Sequence, residues 1–150
     1  MLVPAGMAGS AYSTTSANQN GFLASSLSAS IAAKEGTYNV WAKTPVDPAD
    51  WKEFIGLEYD SNNSQSIRLE ASGASPPSIR GFGPGLSIAN PNDNVGTGNW
   101  HMLTLRLRNG YASVYVDGVL DGTAKWYFPG MKKVTALAVG KGISDQGTGA

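Results

Sequence analysis

Few side chains in this sequence are suited to covalent or acid–base chemistry. His101 is the single histidine of the 150 residues, and the chain has no cysteine. A catalytic triad or a zinc centre built on His101 needs partners, and neither a thiolate nor a second imidazole is available to it. His101 shares strand parity with Leu103, and we therefore interpret it as a packing residue.

A glycine-rich segment, residues 81–85, superficially resembles a nucleotide-binding loop. Its glycines lack the GxGxxG spacing, Pro84 removes one amide donor, and no helix is expected after it to receive a phosphate. We interpret this segment as a plain loop.

Aromatic rings form the second group with functional potential, because flat rings suit the apolar faces of pyranose sugars. The rings considered for such a surface are Trp51, Tyr59, Trp126, Tyr127 and Phe128. Three consecutive aromatic residues cannot all face one core in a strand, so at least one of residues 126–128 should point outward. The pattern leaves open which of the two strand faces is buried. The ligand-binding candidates are Trp51, Asp60, Asn62, Asn63, Trp126 and Tyr127.

All these candidates depend on strands for their positions. Between residues 103 and 108 leucines alternate with polar side chains, which predicts a half-buried strand. Asn109-Gly110 then accepts the positive φ angles of a two-residue hairpin turn. A return strand over 111–116 and a second turn at Asp117-Gly118 follow. The sequence therefore predicts three antiparallel strands joined by two tight turns.

Shorter alternating segments predict further strands near residues 38–43, 55–59, 67–69 and 86–88. Between residues 23 and 31 a spacing of four permits a helix and an alternation permits a strand, and we favour the strand. Many short strands separated by turns are typical of an all-β sandwich or jelly roll. We predict two antiparallel sheets within a single domain, residues 21–150.

Residues 1–20 consist of small neutral side chains with nothing to bury by themselves. One interpretation is a disordered terminus, since chain ends often lack order. The other is an N-terminal arm that orders against a neighbouring subunit, because little charge must be desolvated when such a segment lies on protein.

Composition excludes several classes of partner. The formal net charge is zero and 15% of the residues are charged. Nucleic acid is therefore a poor partner, because no basic excess exists to neutralise its phosphates. A membrane surface is excluded for the same reason, since the chain has no polybasic patch. The absence of cysteine excludes a disulfide framework and fits a reducing cytoplasm or a protein assembled inside a cell. No segment approaches the roughly 20 apolar residues of a transmembrane helix, and residues 1–5 lack the features of a signal peptide.

Three segments together carry a family resemblance: Trp100-His101 with the later Tyr115-Val116-Asp117-Gly118, the run 38–43, and the run 136–140. They resemble laminin G-like domains of the concanavalin A-like superfamily, over roughly residues 37–142. The resemblance implies a concanavalin A-like jelly roll. Members usually continue into a Gly-Xaa-Ile-Asp-Xaa-Val closing strand that this sequence lacks. We therefore expect closure by an N-terminal strand or by another chain, or else that the sequence is a fragment.

The resemblance also raises the question of catalysis, because some members are glycoside hydrolases with a Glu-Xaa-Asp-Xaa-Xaa-Glu strand. Glu58 and Asp60 match the first two positions, and Asn63 stands where the acid/base glutamate belongs. An amide can neither donate nor accept that proton, so the two-carboxylate mechanism fails. We expect no enzymatic activity.

Calcium is the one cofactor that the resemblance suggests, since many relatives bind it at a loop rim. Oxygen ligands of the right type occur in two groups: Asn90, Asn92, Asp93, Asn94, and Asp60, Asn62, Asn63. The conformational preferences of turns explain these residues equally well. We expect no cofactor and retain calcium as the alternative.

Two functions follow from these observations. The first is a non-enzymatic structural or adhesive surface domain, such as a capsid decoration or fibre component of a bacteriophage virion, with weak glycan binding. It would be a homo-oligomer, with a trimer as the favoured state, or would bind other virion proteins. The alternative is a carbohydrate-binding, lectin-like module of a larger bacterial protein, secreted or at the cell surface, with a polysaccharide partner.

Overall fold

The computed structural model describes ten stretches of the chain, which contain strands and no helix. These are residues 2–6, 9–12, 22–24, 35–44, 52–59, 62–71, 78–83, 86–89, 95–126 and 134–139. The strands are β1 (Leu2–Gly6), β2 (Gly9–Tyr12), β3 (Phe22–Ala24), β4 (Gly36–Lys43), β5 (Lys52–Tyr59), β6 (Asn62–Ala71), β7 (Ile79–Gly83), β8 (Leu86–Ala89), β9 (Trp100–Arg108), β10 (Tyr111–Val116), β11 (Val119–Lys125) and β12 (Val134–Val139).

Two antiparallel sheets form a sandwich. The smaller sheet has the strand order β11-β10-β9-β4, and the larger has the order β3-β12-β5-β6-β7-β8. The layers lie strand over strand, with β11 against β8, β10 against β7, β9 against β6 and β4 against β5. The two-sheet antiparallel sandwich predicted from the alternating sequence is therefore confirmed.

Both predicted hairpin turns are present. Asn109 and Gly110 have φ angles of 52° and 74°, and Asp117 and Gly118 have φ angles of 52° and 82°. Positive φ at both central positions is the geometry whose twist matches two antiparallel strands. The turns bring β9, β10 and β11 together as consecutive neighbours.

The dry interior is formed by the alternating residues of both sheets. Leu103, Leu105 and Leu107 of β9 are each 1% exposed, and Val114 of β10 has no exposed surface. Opposite them lie the fully buried aliphatic side chains of the larger sheet: Leu57, Ile67, Leu69 and Ile79. Burial of each such side chain contributes about 1.5–3 kcal/mol, which explains why the strand periodicity determines the fold.

Two glycines allow the sheets to approach closely at the β8–β11 side. A Cβ atom on Gly122 would lie 2.5 Å from Cγ2 of Ile88 in the facing sheet, and one on Gly81 would lie 2.9 Å from Cγ2 of Val114. Neither position therefore has room for a side chain without a shift of the layers.

Three short strands are described near the N-terminus. β1 and β2 pair with each other as a separate two-stranded sheet, and contact of this region with a neighbouring subunit stays a prediction. β3 pairs antiparallel with β12, so an N-terminal strand lies beside the last described strand. The strand favoured near residue 27 lies outside the described residues.

The close approach at Gly122 generates a first prediction. Gly122→Ala should lower the free energy of unfolding by about 1–3 kcal/mol, because the added methyl group overpacks the contact with Ile88. Urea denaturation measures this loss. In the double variant Gly122→Ala, Ile88→Ala the two effects should be less than additive, since the second change removes the clashing methyl group. Unchanged stability of the single variant would contradict the packing described.

Candidate functional site

The solvent-facing side of the smaller sheet, called the small-sheet face below, is built by the residues that alternate with the core. Cross-strand register sets its rows: Trp41 lies opposite Met102, and Asn39 lies opposite Thr104, which in turn lies opposite Tyr115. Because strands are about 4.8 Å apart, the members of a row are in lateral reach of each other. The face is therefore a continuous surface across four strands.

An indole ring lies on this surface at its β4 edge. Trp41 is 46% exposed, although large aromatic side chains are usually well buried. Its neighbours in register are the side chains of Met102, Asn39 and Lys43. An exposed indole offers a flat apolar area with polar groups at its margin.

Hydroxyl and amide groups beside Trp41 are already oriented. The Thr104 hydroxyl donates to Oδ1 of Asn39 over 2.7 Å, which fixes an exposed side chain and leaves its NH₂ group able to donate. Further along the face, the hydroxyls of Ser113 and Thr123 are 2.8 Å apart and bonded to each other. The face thus combines a ring with ordered hydrogen-bonding groups.

Positive charge is concentrated on the small-sheet face. Its register positions include four basic side chains, namely Lys43, Arg106, Arg108 and Lys125. Glu35 lies at the margin of this face and accepts a hydrogen bond from the Asn109 amide over 3.4 Å. The whole chain is neutral, with 11 basic and 11 acidic residues, so the excess is a local property of this face.

A second polar arrangement lies at the end of the smaller sheet, on His101. Nδ1 of His101 is 2.8 Å from Oδ2 of Asp117, and Nε2 is 2.9 Å from Oγ1 of Thr97. A neutral imidazole satisfies both contacts when Nδ1–H donates to Asp117 and Nε2 accepts from Thr97. The imidazole is thus held by one hydrogen bond at each ring nitrogen. A packing role, as predicted from the sequence, would not require these two bonds.

The order hydroxyl, imidazole, carboxylate is also that of a hydrolase triad, which works together with backbone amides that bind an oxyanion. The amide of Gly98 donates to the Thr44 carbonyl over 3.2 Å, and that of Asn99 donates to Oγ1 of Thr97 over 3.1 Å. The two amides that follow Thr97 are therefore engaged, and neither is available to a developing oxyanion. The arrangement ties the 95–99 loop and the β10–β11 turn to β9.

Asp117 connects this turn to β9 through three bonds. Besides its contact with His101, its Oδ1 accepts from the Met102 amide and its own amide donates to the Met102 carbonyl, each over 2.8 Å. The hydrogen bond with His101 lowers the pKa of Asp117 below its ordinary 3.8, with a smaller lowering from the Met102 amide and an opposing effect of partial burial. The ionised carboxylate is thus the form that this structure stabilises.

The outward side of the larger sheet carries a compact group of charges. Arg68 lies 3.9 Å from Glu53 and 3.3 Å from Glu70, and Arg80 lies 3.2 Å from Glu70. Glu53 and Glu70 are cross-strand partners, so two carboxylates do lie side by side. Glycoside hydrolysis uses a pair of carboxyl groups, and both members of this pair are in ion pairs with Arg68.

The residues selected from the sequence are not brought together by the described structure. Trp126 is 5% exposed and belongs to the core, so its ring does not face solvent as a sugar-stacking role requires. Trp126 follows the end of β11, and its amide donates to the Gly110 carbonyl of the Asn109-Gly110 turn over 2.7 Å. Asn62 and Asn63 begin β6. Trp51, Asp60 and Tyr127 lie outside the described residues.

The oxygen ligands suggested for calcium, and possible membrane-spanning segments, were compared with the described residues. Asp60 and the residues from Asn90 to Asn94 lie outside the described residues, so calcium binding there stays a prediction. Within the described ranges, no three His, Asp or Glu side chains are grouped as a metal site would need. Likewise, no helix in those ranges is long and apolar enough to cross a membrane.

Trp41 was not among the candidate residues selected from the sequence. In the run 36–43 it shares parity with Thr37, Asn39 and Lys43, and polar residues at alternate positions indicate the solvent side. That signal was available, but the aromatic run at 126–128 was the more conspicuous pattern.

A family model for laminin G domains, described as the Concanavalin A-like lectin/glucanases superfamily, matches residues 13–148. The chain belongs to this superfamily. The match confirms the resemblance carried by Trp100-His101 and by residues 115–118. No curated protein is similar enough in sequence to count as a match.

Three solved structures share the fold of this chain at low sequence identity. Domains LG4-5 of the mouse laminin alpha1 chain have a TM-score of 0.56 and 13% identity, over 71% of this chain and 28% of that one. The CBM40 of the Ruminococcus gnavus IT-sialidase, bound to alpha2,6 sialyllactose, has a TM-score of 0.52 and 14% identity, over 71% and 64%. A prokaryotic beta-1,3-1,4-glucanase from a mouse hindgut metagenome has a TM-score of 0.52 and 13% identity, over 75% and 61%. The chain thus spans less than two thirds of each relative's length.

The superfamily includes enzymes as well as binding domains, so its fold alone does not decide between them. Glu58 lies in β5, and Asn63 lies near the start of β6. Asn63 has an amide where a hydrolase of this type needs the acid/base carboxylate, and this residue argues against hydrolysis.

The contacts of Asp117 generate a second prediction. Asp117→Asn should lower the free energy of unfolding near neutral pH by about 1 kcal/mol, since the bond with His101 loses its charge-assisted character. Because the folded-state pKa of Asp117 lies below 3.8, the wild-type advantage is complete above that pH and is lost as the pH falls below it toward the folded-state pKa. Urea denaturation as a function of pH measures the difference.

Asp121 in β11 provides the matched control. Both of its carboxylate oxygens are buried, and within the part of the chain that the structure describes neither has a hydrogen-bond partner. Asp121→Asn replaces this buried carboxyl group by a neutral amide and should raise the free energy of unfolding near neutral pH, because no ionised form can then be buried there. If the two variants changed stability in the same direction, the distinct roles of these carboxylates would be refuted.

Proposed function

We propose that this domain is a lectin-like carbohydrate-binding module that holds glycans on the small-sheet face. The observation that carries the proposal is the half-exposed indole of Trp41 beside the hydrogen-bonded pair Asn39–Thr104. A pyranose has apolar C–H faces and a rim of hydroxyls, so it needs a flat ring below and hydrogen-bonding groups at the side. These two requirements are met within adjacent rows of one sheet.

The fold relatives support this proposal, which was the alternative in the sequence analysis, over the virion component that was predicted first. A superfamily module of the same fold was solved bound to sialyllactose, and laminin domains share the fold. None of the relatives described above is a virion protein, and the virion role gains no support from them. A module of this kind acts outside the cell or at its surface, within a longer protein, without chemistry of its own.

The charge of the small-sheet face favours acidic sugars. Arg106 and Arg108 follow each other on one side of β9, and Lys125 lies one strand beyond Arg108 across Tyr111. A carboxylate or sulfate on a glycan whose ring stacks on Trp41 would find positive charge on the same surface. Neutral glycans would use the indole and the hydroxyl groups alone.

The test of the proposal is a glycan array with neutral and acidic saccharides, read in calcium and in chelator. Glycans should bind, and Trp41→Ala should weaken binding by about tenfold or more, because the stacking surface is lost. Titration calorimetry on the best saccharide measures the change.

The matched control is Val119→Ser, which alters an exposed apolar residue at the β10–β11 turn, 71% exposed and away from Trp41. It should leave glycan affinity unchanged. The proposal would be refuted by an array without any binding, or by binding that survives Trp41→Ala intact.

The basic side chains of the small-sheet face generate a separate prediction. Arg106→Gln should weaken binding of acidic glycans several-fold and reduce its salt dependence, because it removes a positive charge that lies two rows from Trp41 on the same face. Neutral glycans measured on the same variant are the internal control and should bind as before. An equal loss of affinity for acidic and neutral glycans would mean that Arg106 has a structural role and does not bind acidic groups.

A further inference from the structure

The strand β4 forms a lateral edge of the smaller sheet. It pairs with β9 along eight consecutive residues without a register shift, from Gly36 opposite Leu107 to Lys43 opposite Trp100. In the sheet order no described strand lies on its other side. Every second backbone amide and carbonyl of a straight edge strand points away from the sheet.

Side-chain exposure indicates that this edge is open. The core-facing residues Tyr38 and Val40 of β4 are only partly buried, whereas their partners Leu105 and Leu103 on β9 are each 1% exposed. Both pairs face the same interior, so the difference arises at the lateral side of β4. The interior is thus left partly uncovered along this edge.

The edge also lacks the features that usually prevent strand addition. From Thr37 to Ala42 there is no charge and no proline, and the register with β9 has no bulge. β11, the opposite edge of the same sheet, has a register shift beside Tyr115 and a glycine at Gly122. A further strand is therefore expected at β4 and not at β11.

A second copy of this chain fits the edge by charge. In an antiparallel pairing centred on Asn39, each residue meets the one equidistant on the other side, so Glu35 of one copy lies opposite Lys43 of the other. Both are exposed and lie on the same side of the strand. A two-fold axis produces this opposite-charge pair twice, once at each end of the shared ladder.

We propose that two copies associate through their β4 edges and form one continuous eight-stranded sheet in this register. The contact extends the backbone ladder and covers the half-buried side chains of Tyr38 and Val40. It does not rest on the proposed glycan binding. The contact would nevertheless bring the two Trp41 residues onto one surface. Four residues of strand rise and one strand spacing separate them, which corresponds to about 14 Å.

The experiment is sedimentation equilibrium of the full 150-residue chain over a wide range of concentrations. The wild type should show a monomer–dimer equilibrium. Glu35→Lys and Lys43→Glu each place like charges opposite one another at both ends, and each should raise the dissociation constant about tenfold. The double variant restores opposite charges and should return the constant to within about twofold of wild type.

Lys125→Glu is the control for net charge. It changes the charge as Lys43→Glu does but lies on the β11 edge, and it should leave dimerisation unaffected. Circular dichroism of every variant checks the fold. The proposal is overturned if the wild type is monomeric throughout, if the double variant associates as weakly as the single ones, or if Lys125→Glu weakens association as Lys43→Glu does.

Discussion

The burial of one side of each sheet against the other is the constraint on which this molecule depends. Leu105 of β9 has almost no exposed surface, and Leu69 of the facing sheet has none. Because successive side chains in a strand point to opposite sides, this burial also dictates which residues face solvent. The small-sheet face, with Trp41 and its neighbours, is the necessary counterpart of the core.

The fold was largely predictable from sequence because its signals are local. The alternation in residues 103–108 and the pairs Asn109-Gly110 and Asp117-Gly118 specify strand, turn and register within about twenty residues. The layer contact at Gly122 was not predictable, since a glycine in a strand pattern does not reveal which side chain of the facing sheet comes near it. The pairing of β4 with β9 spans a separation that no local pattern encodes.

The candidate site was predictable only in part. Sequence reasoning looked for a ring beside amide and hydroxyl groups and selected Trp126, which is buried in the core. A run of aromatic residues shows that one ring must be exposed without showing which one. The rows that place Asn39 beside Thr104 and Trp41 beside Met102 arise from the pairing of distant strands. They are a property of the tertiary structure.

The turn at Asp117 bears on the order in which the chain folds. β9, β10 and β11 are sequence neighbours whose two reversals close very short loops, so this meander is expected to form early. β4, although synthesised first, pairs with β9 over a long sequence separation, and this contact is expected to form after the local meander. Until then β9 and β4 each offer an unsatisfied edge to solvent, which makes this interval the stage of folding at which misassociation between chains is most probable.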